Sequence, residues 1–424
     1  MSKKTKNNEN IFVQIASYRD PQLLETLSDM ISKAEKPENL RIGICWQHSE
    51  NDSWDSLEKY KDDQRFRIID VNYKDSRGVC WARNSVQQMY EDEAYTLQLD
   101  SHHRFAPNWD TTLINMLKDL QKDGHKKPLI TGYIPSFDPD NDPAGRVNVP
   151  WKMNFDRFIP EGAVFFLPAT FDPWDDPKKP LPARFYSAHF AFTVGQFSKE
   201  VSHDPFYYFH GEEISIAARA FTHGYDLFHP NVVVCWHEYT RKGRTKQWDD
   251  DGAWVAKNVS SHLRNRKLFE MDGEKRDIDF GPYGFGTQRT LLDYEKYSGL
   301  CFKNRSITKD VSDKKTPSLD NLKISDDDFK ASLQRIFKHC IDIQYSQVPE
   351  KDYEFWCVAF EDENGQTIFR KDADKSEITR LMNNPAESYI KLWREFNTDT
   401  QPKKWVVWPF SASKQWTGRF EGNL

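Results

Sequence analysis

The sequence predicts an α/β fold followed by a smaller, strand-rich domain, and three observations support this. Over the first 130 residues, apolar runs typical of strands alternate with segments of helical spacing, as in a sheet with crossover helices. A charged segment poor in apolar residues then predicts a linker. Beyond it, the apolar runs at residues 355–360 and 404–408 predict further strands. The predicted parts are a disordered N-terminus (1–10), a large α/β domain (11–305), a linker (306–328) and a small domain (329–424).

The composition is that of a globular protein. The 424 residues include 14 Trp and 29 Phe, too many aromatic side chains for a disordered chain. The first ten residues are polar and precede no long apolar run, so we expect no signal peptide, no integral membrane segment and a cytoplasmic location. A net charge of −6 without a long basic block argues against nucleic acid as a partner. An anionic ligand must therefore be bound by a local group of residues.

The first domain is predicted element by element from apolar spacing. Asp20 before Pro21 predicts a helix whose N-cap is Asp20. Residues 135–182, rich in Pro, Asp and aromatic side chains, follow neither period and predict a binding loop or lid. The other predicted elements are strands at 11–16, 40–46, 66–71, 95–99, 129–133 and 231–237, and helices at 81–90, 109–120 and 213–223.

Polar residues follow several of these strands, where open α/β sheets bind their ligands. Asp100 and His102 come directly after the strand at 95–99, and His237 closes a later strand. One carboxylate and two imidazoles suit Mn²⁺ better than Mg²⁺, which prefers oxygen ligands. Alternatively, Asp100 only caps the strand end and the histidines are ordinary surface groups.

The order of the motifs resembles a known family. The segments that carry the resemblance are Ala16 to Asp20, Arg77 to Asn84, Leu99 to His102, His210 to Glu213, Trp236 with His237, and Gly284 to Thr290. They resemble the Skp1-type polypeptide N-acetylglucosaminyltransferases, the GlcNAc family of GT-A glycosyltransferases, and are more distantly similar to the polypeptide GalNAc transferases. The resemblance covers residues 11–300, about two thirds of the chain.

The resemblance implies a fold, a reaction and a set of residues. The fold is GT-A, a Rossmann-like nucleotide-sugar-binding domain, and the DXD-like motif is Asp100 to His102. The reaction is metal-dependent, retaining transfer of GlcNAc or a related N-acetylhexosamine from a UDP-sugar such as UDP-GlcNAc to protein Ser, Thr or hydroxyproline, or to a glycan. The implied metal ligands are Asp100, His102 and His237, with Mn²⁺ or another divalent cation. The implied donor-binding residues are Ser17, Tyr18, Arg19, Arg83, Ser101, His189 and Arg289.

Glu212 and Glu213 are the implied catalytic residues. Glu212 matches the acidic residue of the W-G-G-E-N motif in the GalNAc transferases, but Glu213 stands where those enzymes carry Asn. A simpler explanation is that both stabilise a helix N-terminus, where the helix dipole favours acidic residues. His189 is bulkier than the glycine expected beside the donor sugar, so the identity of the sugar stays open.

Two other functions compete with this hypothesis. The first is a transferase that builds a capsule or another surface polysaccharide, with the aromatic segment 135–182 holding a glycan instead of a peptide. The second is a carbohydrate-binding protein with an inactive transferase domain, in which aromatic residues of the C-terminal domain bind the sugar. The intact set Asp100, His102, Glu212 and His237 argues against the second.

Overall fold

The computed structural model describes residues 9–241, 243–383, 388–398 and 400–424. The chain forms two compact units, residues 1–303 with 310–329, and residues 304–309 with 330–424. Most of the segment predicted as a linker therefore belongs to the first unit. Apart from Glu9 and Asn10, the predicted disordered N-terminus lies outside the described residues.

The first unit is built on one mixed sheet of eight strands, with two smaller strand pairs beside it. Its strands are β1 (Ile11–Tyr18), β2 (Leu40–His48), β3 (Phe66–Asn72), β4 (Tyr95–Leu99), β5 (His103–Phe105), β6 (Pro128–Thr131), β7 (Trp151–Phe158), β8 (Val164–Thr170), β9 (Leu181–Pro182), β10 (Phe190–Val194), β11 (Asp226–His229), β12 (Cys235–His237) and β13 (Leu300–Cys301). The order in the large sheet is β3-β2-β1-β4-β10-β6-β11-β9. Strands β3, β2, β1 and β4 are parallel, and β10 runs antiparallel to both β4 and β6.

Helices connect many of these strands, and others follow the last strand of the large sheet. They are α1 (Leu23–Lys33), α2 (Val79–Gln87), α3 (Trp109–Lys122), α4 (Phe197–Glu200), α5 (Glu212–Thr222), α6 (Gln247–Asp250), α7 (Trp254–Phe269) and α8 (Leu291–Ser298). Among the described residues, no helix is long and apolar enough to cross a membrane.

Strand β1 occupies the middle of the parallel part of the sheet. Its residues Ile11, Val13 and Ile15 are fully buried in the main core, which explains the nearly continuous apolar run in the sequence. Ile15 is paired with Leu99 at the end of β4. The residues that follow β1 and β4 therefore meet at the same edge of the sheet.

The structure corrects two predictions. Helix α1 begins at Leu23 and is preceded by Gln22, so Asp20 is not its N-cap. Residues 135–182 are not one irregular loop, because they contain the antiparallel pair β7 and β8. Several residues in this pair are polar or only partly buried, so no apolar period marks the strands.

The second unit is rich in strands, as predicted. Its strands are β14 (Ser306–Thr308), β15 (Leu333–Gln334), β16 (Ile336–Gln344), β17 (Tyr353–Glu361), β18 (Thr367–Arg370), β19 (Ala373–Asp374), β20 (Tyr389–Asn397), β21 (Lys404–Ser411), β22 (Gln415–Trp416) and β23 (Phe420–Asn423). The chain passes between the units within α9 (Lys309–Ser312) and α10 (Asp326–Ser332), and α11 (Lys375–Met382) lies in the second unit. Trp356, Val358 and Phe360 of β17 are fully buried in a core of its own. The predicted α/β class with a smaller strand-rich part is confirmed.

Candidate active site

A cleft open to solvent lies at the sheet edge where β1 and β4 end. Tyr18 follows from β1, while Asp100, Ser101 and His102 follow from β4. The remaining lining residues come from the rest of the first unit and are Ala16, Asp20, Gln47, Val79, Arg83, Phe209, His237, Tyr239, Arg241, Arg244, Thr245, Lys246, Gln247 and Trp248.

Three side chains in this cleft converge as metal ligands do. Asp100, His102 and His237 each place a ligand atom within 4.8 Å of the other two. Oδ2 of Asp100 lies 3.7 Å from Nε2 of His102 and 3.6 Å from Nε2 of His237. Burial, together with the neighbouring His189, lowers the pKa of His237 well below its usual range. The ring is therefore neutral, which is the form that binds a metal.

A short strand pair fixes His237 in this position. In the antiparallel pair β5 and β12, His237 is opposite His103. The backbone N–H of His237 donates to Pro135 O at 3.0 Å, and its carbonyl accepts from the N–H of Phe137 at 3.2 Å. The ring of His237 stacks on that of His189 with 4.2 Å between centroids. Backbone and ring contacts together hold the third ligand.

Arg83 connects the metal ligands to the predicted catalytic glutamates. Its Nη2 donates to Oδ1 of Asp100 at 2.8 Å, and its Nη1 lies 3.4 Å from Oε1 of Glu212. Burial alone would lower the pKa of Arg83, but the two carboxylates raise it. Arg83 is 4% exposed, so its guanidinium is held almost entirely inside the protein.

Glu212 and Glu213 begin helix α5, so the dipole of that helix favours their negative charge. Glu213 accepts the backbone N–H of Ala188 at 2.9 Å. Burial raises the pKa of both carboxyl groups, and Glu212 raises that of Glu213 further. Either group is thus able to hold a proton near neutral pH.

Of the predicted donor residues at the end of β1, only Tyr18 is among the residues that line the cleft. Tyr18 lines the cleft, and its hydroxyl donates to Asp250 at 2.8 Å. The Oγ of Ser17 is buried and has no hydrogen-bond partner among the residues described. Arg19 forms ion pairs with Asp52 at 2.7 Å and with Asp250 at 3.0 Å, and it does not line the cleft.

His189 lies behind the metal ligands, not in the cleft wall. Its Nε2 is 3.2 Å from the hydroxyl of Tyr239, and its Nδ1 is 3.0 Å from Oγ of Ser187. Burial lowers the pKa of His189 to about 3, so the ring is neutral. In this position it supports the His237 ring.

Arg289 does not join the cleft. It pairs with Asp226 at 2.8 Å, and Asp226 is the first residue of β11. Strand β11 is parallel to β6, and β6 has the same direction as β4 because both are antiparallel to β10. Arg289 therefore lies at the amino ends of the strands, at the edge of the sheet opposite to the cleft.

A comparison with known families assigns the sequence to one of them. The sequence matches the family described as glycosyltransferase (GlcNAc) over residues 10–66 and 56–304, more than half of the chain. The protein belongs to this glycosyltransferase family.

Solved structures of other glycosyltransferases are similar to this one. GalNAc-T7 with UDP, GalNAc and Mn²⁺ has 13% sequence identity and a TM-score of 0.47, covering 69% of this chain and 51% of that chain. Residues 1–349 of S. aureus TarS with UDP-GlcNAc have 12% identity and a TM-score of 0.39, covering 70% and 72%. The mannosyltransferase PcManGT from Pyrobaculum calidifontis with GDP-Man and Mn²⁺ has 13% identity and a TM-score of 0.35, covering 70% and 71%. This glycosyltransferase thus spans about half the length of GalNAc-T7, and no curated protein matches its sequence.

Sequence reasoning missed several residues of the glycosyltransferase cleft. Asp20 was assigned to a helix cap, whereas its carboxylate contacts Ser101, His102 and Arg244. The segment after His237 contributes further lining residues, namely Tyr239, Arg241, Arg244, Thr245, Lys246, Gln247 and Trp248. The concentration of basic residues in this segment was the available signal, but no spacing connects it to β4.

Proposed function

We propose that this glycosyltransferase transfers GlcNAc, or a related N-acetylhexosamine, from a UDP-sugar to a hydroxyl acceptor and requires a divalent cation. The observation that carries the proposal is the convergence of Asp100, His102 and His237 in a cleft that also contains Arg83. The motif resemblance to Skp1-type enzymes supports UDP-GlcNAc as the donor and retention of the anomeric configuration.

The three side chains fit a cation in their chemistry. Ligand atoms bound about 2 Å from one ion lie roughly 3 to 4 Å from one another, and the separations of 3.6 and 3.7 Å from Oδ2 of Asp100 agree with this. Nε2 of His237 is buried and has no hydrogen-bond partner within the described part of the chain. Arg83 occupies Oδ1 of Asp100 and leaves Oδ2 for the cation. A set of one carboxylate and two imidazoles favours Mn²⁺.

The residues of the cleft have separate roles in this proposal. When bound, the cation stabilises the negative charge of the departing diphosphate. Arg241 and Lys246 line the same cleft and provide positive charge for the phosphates. Glu212 and Glu213 do not line the cleft, but Glu212 contacts Arg83, which does. In the proposal the two glutamates orient the sugar, and their raised pKa lets one of them donate a hydrogen bond as an acid.

Replacement of a ligand tests the proposal directly. We expect Asp100→Ala to lower UDP-GlcNAc turnover more than about 100-fold. Even residues that only orient a metal ligand contribute about 10–100-fold to metal affinity or activity, and Asp100 is itself a proposed ligand. UDP release is measured with Mn²⁺ and with a chelator, and Asp70→Ala, on the exposed part of β3, is the control. Undiminished turnover in Asp100→Ala, or in chelator-treated protein, would rule out the metal-dependent reaction.

The same assay identifies the acceptor. The proposed acceptors are Ser, Thr or hydroxyproline in a protein, or a glycan, and a polysaccharide-building enzyme is the alternative. Peptides and oligosaccharides are added in turn, and the class that increases UDP release and gains mass is the acceptor. If neither class is modified and no UDP-sugar is hydrolysed, the inactive carbohydrate-binding protein becomes the better explanation.

A further inference from the structure

Asp20 is a buried carboxylate directly behind one of the proposed metal ligands. It is 3% exposed and lies two residues beyond the end of β1. Its Oδ2 accepts from Oγ of Ser101 at 2.6 Å and contacts Nδ1 of His102 at 2.7 Å. Its Oδ1 accepts the backbone N–H of Gln22 at 2.9 Å. Asp20 therefore connects the start of α1 to Ser101 and His102 in the turn after β4.

The contact with Asp20 bears on which nitrogen of His102 carries the proton. Nδ1 faces Oδ2 of Asp20 at 2.7 Å and also contacts Nη1 of Arg244. A proton on Nδ1 is donated to Oδ2 of Asp20, because a carboxylate oxygen accepts. The other nitrogen, Nε2, then keeps its lone pair and faces Asp100, whose Oδ2 is 3.7 Å away. This is the tautomer that binds a cation through Nε2.

His237 is held in a different way. Both of its ring nitrogens lack a hydrogen-bond partner among the residues described. Its position depends on the pairing of β12 with β5 and on ring contacts with His189 and Tyr239. Of the two imidazole ligands, only His102 is thus oriented by a carboxylate in the described structure.

Arg244 is a further partner of the same group. Nη1 of Arg244 lies 3.1 Å from Oδ2 of Asp20 and contacts Nδ1 of His102, and Nη2 lies 3.4 Å from Glu238. Asp20 therefore faces a guanidinium as well as the imidazole.

We propose that Asp20 is a positioning residue for the cation site: it fixes the ring orientation and the tautomer of His102 and makes Nε2 a better ligand. The proposal rests on the cation site of the proposed function. Groups with this role contribute 10–100-fold to metal affinity in other proteins.

The test compares two buried aspartates. Asp20→Asn keeps the shape and an acceptor oxygen but removes the charge, and we expect Mn²⁺ to bind about 10–100-fold more weakly. Asp110→Asn is the matched control, because Asp110 is 2% exposed and accepts only backbone N–H groups, from Glu35 and Lys36. Free Mn²⁺ is measured by electron paramagnetic resonance in titrations without donor, and urea unfolding shows that each variant is folded.

A second measurement requires no variant. In the metal-free, unaltered protein labelled with ¹⁵N-histidine, we expect the His102 signals of a ring protonated at Nδ1 and unprotonated at Nε2 at pH 8. A ring protonated at Nε2 alone would overturn the proposal.

The binding experiment separates this inference from the proposed function. If the unaltered protein binds Mn²⁺ and Asp20→Asn binds it equally well, the role of Asp20 is rejected and the cation site stands. An equal loss in Asp110→Asn would show that the effect is only structural. If the unaltered protein binds no Mn²⁺, both the cation site and the role of Asp20 are rejected.

Discussion

Two buried carboxyl groups of this protein have opposite acidities because their partners differ. Asp20 contacts His102 and Arg244, and these groups hold its pKa low despite its burial. Glu295 of α8 accepts the backbone N–H of Phe302 at 2.8 Å, and burial raises its pKa to about 7. A cationic partner thus decides whether a buried acid stays ionised at neutral pH.

The raised pKa of Glu295 predicts how the stability of the protein changes with pH. Its pKa in the folded state is above the unfolded value of about 4.3, so the folded protein binds more protons between these values. The stability of the unaltered protein therefore falls as pH rises from about 4.3 to about 7. Glu295→Gln lacks this loss, so its stability relative to the unaltered protein should rise by about 3 to 4 kcal/mol from low pH to pH 8, since one pKa unit corresponds to about 1.4 kcal/mol.

Urea unfolding at pH 5, 6, 7 and 8 measures this rise in relative stability. Glu50→Gln, at an exposed position, is the control and should change stability by less than about 0.5 kcal/mol at each pH. A constant difference between Glu295→Gln and the unaltered protein over this range would contradict the assignment.

At the level of elements, a threonine of α1 fixes the segment that carries the metal ligands. The hydroxyl of Thr26 accepts the backbone N–H of His103 at 2.9 Å and lies 2.9 Å from the carbonyl of Ser101. Helix α1 is thereby attached to the turn between β4 and β5. The turn contains Asp100 and His102, so Thr26 helps to hold both proposed ligands, together with the contacts of Asp20 and Arg83.

Thr26→Val should weaken both stability and cation binding. The buried N–H of His103 loses its partner, which costs about 1–3 kcal/mol, and the turn is then free to shift. Thr193→Val is the matched control, because Thr193 is buried in β10 and donates to the carbonyl of Pro128 at 2.8 Å, away from the cleft. We expect both variants to lose stability in urea and only Thr26→Val to bind Mn²⁺ more weakly. Equal Mn²⁺ affinities would show that the turn does not depend on Thr26.

The elements that the sequence predicted are those with a strong local period. Strands β1 and β4 are buried on both faces, and the apolar runs that this requires are visible in the sequence. Polar residues after strand ends then indicated Asp100 and His102 without knowledge of any contact. Strands β7 and β8 were missed because their apolar period is interrupted.

The residues that the sequence missed act through distant contacts. Asp20 and Arg244 are 224 positions apart in the sequence, yet Arg244 donates to Oδ2 of Asp20. The pair Asp20-Pro21 has the local pattern of a helix start, and Oδ1 of Asp20 accepts the N–H of Gln22 just before α1. That pattern gives no sign of the contacts that Oδ2 makes in the cleft. For Arg289 the sequence suggested a cleft residue that the structure places elsewhere. Arg289 lies within one of the family motifs but at the edge of the sheet opposite to the cleft.

At the level of the whole molecule, charge is distributed unevenly. The chain has a net charge of −6, yet four cationic side chains line one cleft: Arg83, Arg241, Arg244 and Lys246. Asp20 and Asp100 line the same cleft and engage Arg244 and Arg83 respectively. Arg241 and Lys246 remain to attract a diphosphate, so an anionic ligand is expected at this cleft and a cation beside it.

Ligand binding should therefore raise the thermal stability of the protein in a defined combination. A ligand that binds only the folded state adds about 2.7 kcal/mol to the free energy of unfolding at a concentration 100 times its Kd. We expect UDP-GlcNAc with Mn²⁺ to raise the unfolding temperature, and UDP-GlcNAc with a chelator or GDP-mannose with Mn²⁺ to raise it much less. Asp100→Ala, which removes one ligand of the cation, should show the smaller shift even with Mn²⁺ present. If no uridine nucleotide raises the unfolding temperature, the cleft does not bind the proposed donor, and an equal shift with GDP-mannose would reject the preference for uridine.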